Sequence, residues 1–372
     1  MLKLIYESYK DSDFYFATNV QASDPVFYLE INGRKLLFLD SREYVVGKEH
    51  ANKDVEVVLF DDYLTKTPNN THGLELNITQ KQLLCLFEAF AQDETEIHVP
   101  SNFSLPLADF LRSVGYTIII DDPFFRARLY KDDLAITKIQ DAVKRLEKAF
   151  YFIQEILKAS NIKGDKIYYK DKILTSEFLK REVTIFLLRE DMELTDGIII
   201  ASGYHASIPH HSGSGPILPH QTIIVDIFPR CSRTGYFADI TRTYFKGEPG
   251  DEIKKLYETV RAVQEAQTKM VKPAVPAMEI HTAGCGMFVD AGYQIGKEGF
   301  AHGTGHGLGL DLHESPRLNN RSKEILEVGN VVTVEPGLYY EKLGGVRIED
   351  DIVITPDGYQ NLVSLDKRML VF

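Results

Sequence analysis

The sequence predicts an α+β protein in which a small α/β domain precedes a larger α+β domain. Three observations carry this. Short β-branched and aromatic runs alternate with helix-like apolar spacing as far as residue 122. An apolar stripe at Ile136, Ile139, Val143, Leu146, Phe150, Ile153 and Leu157 then steps by three and four over about six turns. Beyond it, strands come in pairs separated by short loops.

Taken in order, VFYLEI (26–31), KLLFLD (35–40), VEVVLF (55–60), EIHVP (96–100) and YTIIIDD (116–122) read as strands. Helical spacing at 80–91 and 105–114 falls between them, so the sheet is expected to be mixed or parallel. The long stripe reads as a structural helix, because Lys144, Arg145, Glu147 and Lys148 take its other side. Its start sets a domain boundary near Arg128, giving domains 1–128 and 129–372. In the second domain, helices are expected at about 176–188, 252–270 and 278–291. QTIIVDIF (221–228) and YFADITRTYF (236–245), separated by a loop with Pro229 and Gly235, read as a hairpin. VVTVEPGLYY (331–340) and GVRIEDDIVIT (345–355), joined by EKLG, read as a second. Leu308, Leu310 and Leu312 alternate as in a strand entering a core.

Composition narrows the function classes. The chain has 372 residues, is 44% hydrophobic and 26% charged, and so resembles an ordinary soluble globular protein. A net charge of −12 without any basic run disfavours nucleic acid and anionic membrane surfaces as partners. No apolar run approaches the roughly 18 residues of a membrane span. Charges at Glu7, Lys10, Asp11 and Asp13 interrupt the first segment, unlike a signal peptide. Cys85, Cys231 and Cys285 are odd in number and far apart, which fits reduced thiols in a cytoplasm.

The chemistry is concentrated. Seven of the eleven histidines lie in two windows, at 205, 210, 211 and 220, and at 302, 306 and 313. The second window is FAHGTGHGLGLDLHESP, where alternate glycines oppose a helix and permit close backbone approach to a ligand. Asp226, Asp239, Glu335 and Glu349 each sit within an apolar strand pattern. A carboxylate there is costly to bury unless it is paired or binds a metal. Hard oxygen donors with an imidazole suit Mn²⁺, Co²⁺ or Zn²⁺, and no CxxC pair offers a thiolate site. No P-loop, HExxH zinc-protease motif or GxSxG nucleophile elbow is present.

SIPHH (207–211), VDIFPRCSRTGYFADITRT (225–243), HGTGHGLGLDLHESP (302–316), VTVEPGLYY (332–340) and GVRIEDD (345–351) together resemble the family of prolidase, aminopeptidase P and methionine aminopeptidase. GVRIEDD and DITRT are similar to the prolidase and aminopeptidase P branch in particular. The resemblance implies a pita-bread catalytic domain preceded by a smaller, creatinase-like α/β domain. It implies a binuclear metal-dependent exopeptidase that hydrolyses Xaa-Pro bonds, with a metal-bridging water as nucleophile. The implied ligands are Asp226 on one ion, His306 and Glu335 on the other, and Asp239 and Glu349 between them, with Mn²⁺ as the expected metal. Glu335 would also be the general base, His210 and His313 would steady the tetrahedral intermediate, His302 would wall the proline pocket, and Arg347 would support the acids. The implied partners are short peptides with proline second, and a second copy of the chain as a homodimer. One departure stands out: Asp226 and Asp239 are thirteen positions apart, two more than in the family motif, and the extra residues of PRCSRTG would reshape that rim. Two other readings keep the fold: a metal-free creatinase-like amidinohydrolase, and a non-catalytic peptide- or protein-binding member. Both relatives lack metal ligands that this chain retains.

Overall fold

The computed structural model describes residues 1–64 and 75–372. The chain forms two compact units, Met1–Arg126 and Ala127–Phe372.

The first unit is built on a six-stranded mixed sheet. Its strands are β1 (Leu2–Glu7), β2 (Val26–Ile31), β3 (Arg34–Leu39), β4 (Val55–Leu59), β5 (Glu96–Pro100) and β6 (Thr117–Asp121), in the order β4-β3-β2-β1-β5-β6. β1, β2 and β3 pair antiparallel, whereas β3–β4, β1–β5 and β5–β6 are parallel. The β2–β3 turn is Asn32-Gly33 with φ of 50° and 76°, the doubly positive pair that a two-residue hairpin requires. Helices α1 (Ser12–Thr18), α2 (Tyr44–His50), α3 (Ile78–Phe90) and α4 (Leu105–Ser113) connect the strands. α3 opens with a capping box, in which Asn77 and Gln80 satisfy each other's backbone N–H.

The second unit begins with α5 (Asp133–Ala159), capped by Asp132 Oδ1 accepting from the Ala135 N–H at 2.8 Å. Ile139, Val143, Leu146, Phe150, Ile153 and Leu157 are wholly buried. They share a core with α6 (Ser176–Arg189) and with β7 (Ile198–Ser202), β8 (Thr222–Ile227) and β9 (Ile240–Phe245). These strands form one antiparallel sheet, β7-β8-β9, and every residue of β8 and β9 is buried. α7 (Asp251–Met270) and α8 (Ala277–Asp290) follow and pack on each other. Beyond α8 the regular structure among the described residues is strand. β10 (Gly305–Gly307), β11 (Glu314–Leu318), β12 (Val331–Val334), β15 (Asp350–Thr355) and β16 (Gly358–Asn361) form a sheet in the order β11-β10-β12-β15-β16. Between its members, β13 (Gly337–Tyr340) and β14 (Gly344–Arg347) make a separate two-stranded ladder.

Two expectations are corrected here. The second hairpin is broken in both arms. Its base pairs Val334 with Asp350 and its tip pairs Gly337 with Arg347, so Glu335-Pro336 and Ile348-Glu349 interrupt the ladders opposite each other. Pro336 lacks the N–H that a continuous ladder would use. Leu308, Leu310 and Leu312 are not a strand. Residues 308–313 bend between β10 and β11, and the three leucines are buried from that loop.

Candidate metal centre

Three of the four acids predicted to lie within strands stand at strand ends. Asp226 is inside β8, but Asp239 immediately precedes β9, Glu335 immediately follows β12 and Glu349 immediately precedes β15. At these breaks the backbone leaves its ladder, which lets a short carboxylate turn toward a common point. His306 occupies the centre of β10. Its neighbours must be glycine: a Cβ on Gly305 would sit 1.9 Å from the Thr333 carbonyl oxygen, and one on Gly307 would sit 2.2 Å from that of Ser315.

Asp239, His306 and Glu349 present ligand atoms within 4.8 Å of one another. His306 Nε2 lies 3.7 Å from Asp239 Oδ2 and 3.5 Å from Glu335 Oε1. His306 Nδ1 is 3.1 Å from the Gly307 carbonyl, so Nδ1 carries the proton and Nε2 turns its lone pair to the acids. Thr241 Oγ1 donates to Glu349 Oε2 at 2.6 Å, and the Asp239 N–H donates to Asp351 Oδ2 at 3.0 Å. Arg347 Nη2 donates to Asp226 Oδ2 at 2.5 Å. Arg347 therefore pairs with the acid of another sheet, and it ends β14 rather than sharing a strand face with Glu349.

Electrostatics agree with a cation-binding cluster. Burial, reinforced by the surrounding carboxylates, holds Asp239 and Glu349 well above the carboxylate range. Burial pushes Glu335 up to about 8 and His306 down to about 3. Asp226 Oδ1 and Asp239 Oδ1 are buried and have no hydrogen-bond partner among the described residues. Acceptors left open beside like charges are the fit that divalent ions need, and the donor set of four carboxylates and one imidazole suits them.

All nine residues singled out in the sequence line one cleft of about 780 Å³: Asp226, Asp239, His306, Glu335, Glu349, His210, His313, His302 and Arg347. The His313 ring packs edge-on against His306 with centroids 4.3 Å apart. The first histidine window is divided. His210 lines the cleft, whereas His205 and His211 stack on each other at 4.0 Å and His220 Nδ1 meets the Glu248 carbonyl at 2.9 Å. Between its two end acids, the long Asp226–Asp239 connection contributes only Phe228 to the cleft wall. Arg230-Cys231 pairs instead with Met192-Glu193.

Tyr339 and Thr241 were not identified from sequence as site residues. Arg347 Nη1 donates to the Tyr339 hydroxyl at 2.5 Å, which lies 2.8 Å from His302 Nε2, while His302 Nδ1 meets the Gly303 carbonyl at 2.7 Å. The chain of donors is consistent throughout: Arg347 to Tyr339, Tyr339 to His302, His302 to backbone. Tyr339 lies in VEPGLYY and Thr241 in DITRT, but nothing in those runs states what their hydroxyls touch across the sheets.

Comparison with known proteins agrees with this geometry. The model of Metallopeptidase family M24 matches residues 137–356. The chain is 32% identical over 342 residues to the uncharacterized peptidase YqhT of Bacillus subtilis, covering 92% of this chain and 88% of that one. It is 32% identical over 241 residues to the Xaa-Pro dipeptidase of Pyrococcus furiosus, covering 63% and 68%. The crystal structure of the prolidase from Pyrococcus horikoshii superposes with a TM-score of 0.78 at 25% identity, over 99% of this chain and 95% of that one. Family match, relatives and fold converge: the chain is a peptidase of metallopeptidase family M24, in its prolidase and aminopeptidase P branch, with a pita-bread unit that follows a smaller α/β domain in the sequence.

Proposed function

We propose that this protein hydrolyses Xaa-Pro bonds in short peptides, working from the N-terminus with two divalent ions, Mn²⁺ being the preferred metal. The observation that carries the reading is the set of partnerless oxygens on Asp226 and Asp239 beside His306, Glu335 and Glu349. Asp226, Asp239, His306, Glu335 and Glu349 would hold the ions. Ions held there would supply Lewis-acid chemistry, lowering the pKa of a water and polarising the scissile carbonyl.

The chain's own residues do the rest. Glu335 takes the water's proton and returns it to the leaving nitrogen, which balances the cleavage. Burial lowers His313 and so favours its neutral imidazole, whose N–H donates a hydrogen bond to the carbonyl oxygen as negative charge grows there. His210 is assigned the same work from the other histidine window. His302, held by Tyr339 and Gly303, offers a fixed ring face against the proline side of the peptide. Arg347 orients Asp226 through its 2.5 Å hydrogen bond. A homodimer and a cytoplasmic location complete the proposal; among the described residues no helix is long and apolar enough to cross a membrane.

The test is metal analysis of the purified protein combined with hydrolysis of matched Xaa-Pro and Xaa-Ala dipeptides. Chelation should abolish Xaa-Pro cleavage and Mn²⁺ should restore it. Full activity in the chelated protein, or equal cleavage of both peptides, would overturn the reading.

A further inference from the structure

His313 stands on a segment without regular structure, since β10 ends at Gly307 and β11 starts at Glu314. A side chain that must meet a reacting group from such a loop needs the loop fixed by its surroundings. The fixing contact is on the next residue. The Glu314 side chain is 8% exposed, bonded through Oε1 to Lys131 Nζ and through Oε2 to Arg128 Nη2 at 3.1 Å. The same Arg128 Nη2 reaches Asp311 Oδ2 at 2.5 Å, on the opposite side of His313. Two cations therefore grip the loop both before and after the histidine.

The gripping segment is itself anchored. The Lys131 N–H donates to the Gly329 carbonyl at 2.8 Å, and Asn330 Nδ2 donates to the Leu129 carbonyl at 2.9 Å. Asp132 then caps α5. The closure is tight: a Cβ on Gly309 would lie 2.8 Å from Glu314 Oε1 and 3.0 Å from Lys131 Cε. Two positive and two negative groups balance, and the Lys131 and Glu314 side chains are themselves buried, so removing Lys131 would leave Glu314 with Arg128 as its one remaining cation in the group.

We propose that Lys131 and Arg128 are positioning residues for His313, acting through Glu314 and Asp311. The proposal rests on the peptidase reading above. It assigns part of the catalytic geometry to the short segment that leads into α5, a segment that does not line the cleft.

The test uses the full-length, metal-loaded protein. Lys131→Met should lower kcat roughly 10- to 100-fold with metal content retained and KM little changed, because small misplacements of a reacting group cost rate. Lys131→Arg should restore most of the rate. Introduced into His313→Ala, Lys131→Met should cause no further loss, since its effect passes through His313. Equal losses in the two backgrounds, or an unchanged kcat in Lys131→Met, would overturn the proposal. Should Lys131→Met fail to fold, Lys131→Met/Glu314→Gln removes both charges together and enters the same two backgrounds. A readout free of activity is the ¹³Cε1 resonance of His313, assigned by its disappearance in His313→Ala. It should move in Lys131→Met while that of His281 does not, and an unmoved His313 resonance counts against positioning. An inactive wild type would sink the peptidase reading and leave the resonance to decide this one.

Discussion

His306 holds Nε2 3.5 Å from Glu335 Oε1 while its Nδ1 is committed to the Gly307 carbonyl, so the imidazole can offer the acids only a lone pair. Either a proton on the acids or a cation between the groups relieves this facing of acceptors, and the expected behaviour of variants follows from the competition between the two.

Glu349→Gln should reduce turnover below about a hundredth of wild type, because even residues that merely orient metal ligands cost 10- to 100-fold. Bound metal should fall with it. Retention of two ions and near wild-type rate, measured together on one preparation, would contradict the role of Glu349.

His306→Ala and His313→Ala should separate. The first should weaken metal binding. The second should keep the metal and lower kcat about 100-fold, as loss of a donor to developing charge does. Titration with Mn²⁺ alongside steady-state kinetics distinguishes them, and equal metal loss in both would mean that the two roles are misassigned.

The metal-free protein should lose stability as pH rises from about 6.5 to about 8. Folding lifts Glu335 from 4.5 to about 8, chiefly by burial, so the folded state keeps a proton that the unfolded chain releases. Stability then declines with pH across that window. Asp239 and Glu349 are raised as well and add in the same sense. His302 and His306, lowered by burial from 6.5 to about 3, act oppositely, but only below 6.5. Thermal melts in chelator should follow this fall, and Mn²⁺ should raise the midpoint more at pH 8 than at pH 6.5, since protons compete for its ligands. A metal-free midpoint that climbs across the window would refute the argument.

Gly305→Ala should destabilise the second unit by about 1–3 kcal/mol or more, the usual cost of overpacking. The added Cβ would meet the Thr333 carbonyl oxygen at 1.9 Å, which no rotamer change relieves. Differential scanning calorimetry checks this, and an unchanged midpoint would mean that β10 does not lie so close to β12.

What the sequence disclosed and withheld has a physical pattern. Asp226, Asp239, Glu335 and Glu349 were legible because a carboxylate within apolar residues is anomalous wherever it folds. The helices from α5 to α8 were legible because 3.6-residue periodicity is local. The strands β1 and β7 were passed over: Ile198–Ser202 is an apolar run too short to separate from a buried helix turn without knowing its partner β8. The hydroxyls of Thr241 and Tyr339 acquire meaning only from contacts with Glu349 and Arg347 made across sheets. Pro336 carries a local clue to a break that the reading of 331–340 as one continuous arm does not use, and the break in the opposite arm at Ile348-Glu349 follows from register, which one arm cannot reveal alone.

The interrupted hairpin has a consequence for variation among descendants of this chain. Glu335 and Glu349 are spaced by the Val334–Asp350 base of the hairpin, whereas its turn at 341–343 lies beyond a second, independent ladder. Residues gained or lost at that tip would be absorbed before they reached the base. The tip can therefore diverge in length and composition while the two acids inherit an unchanged separation.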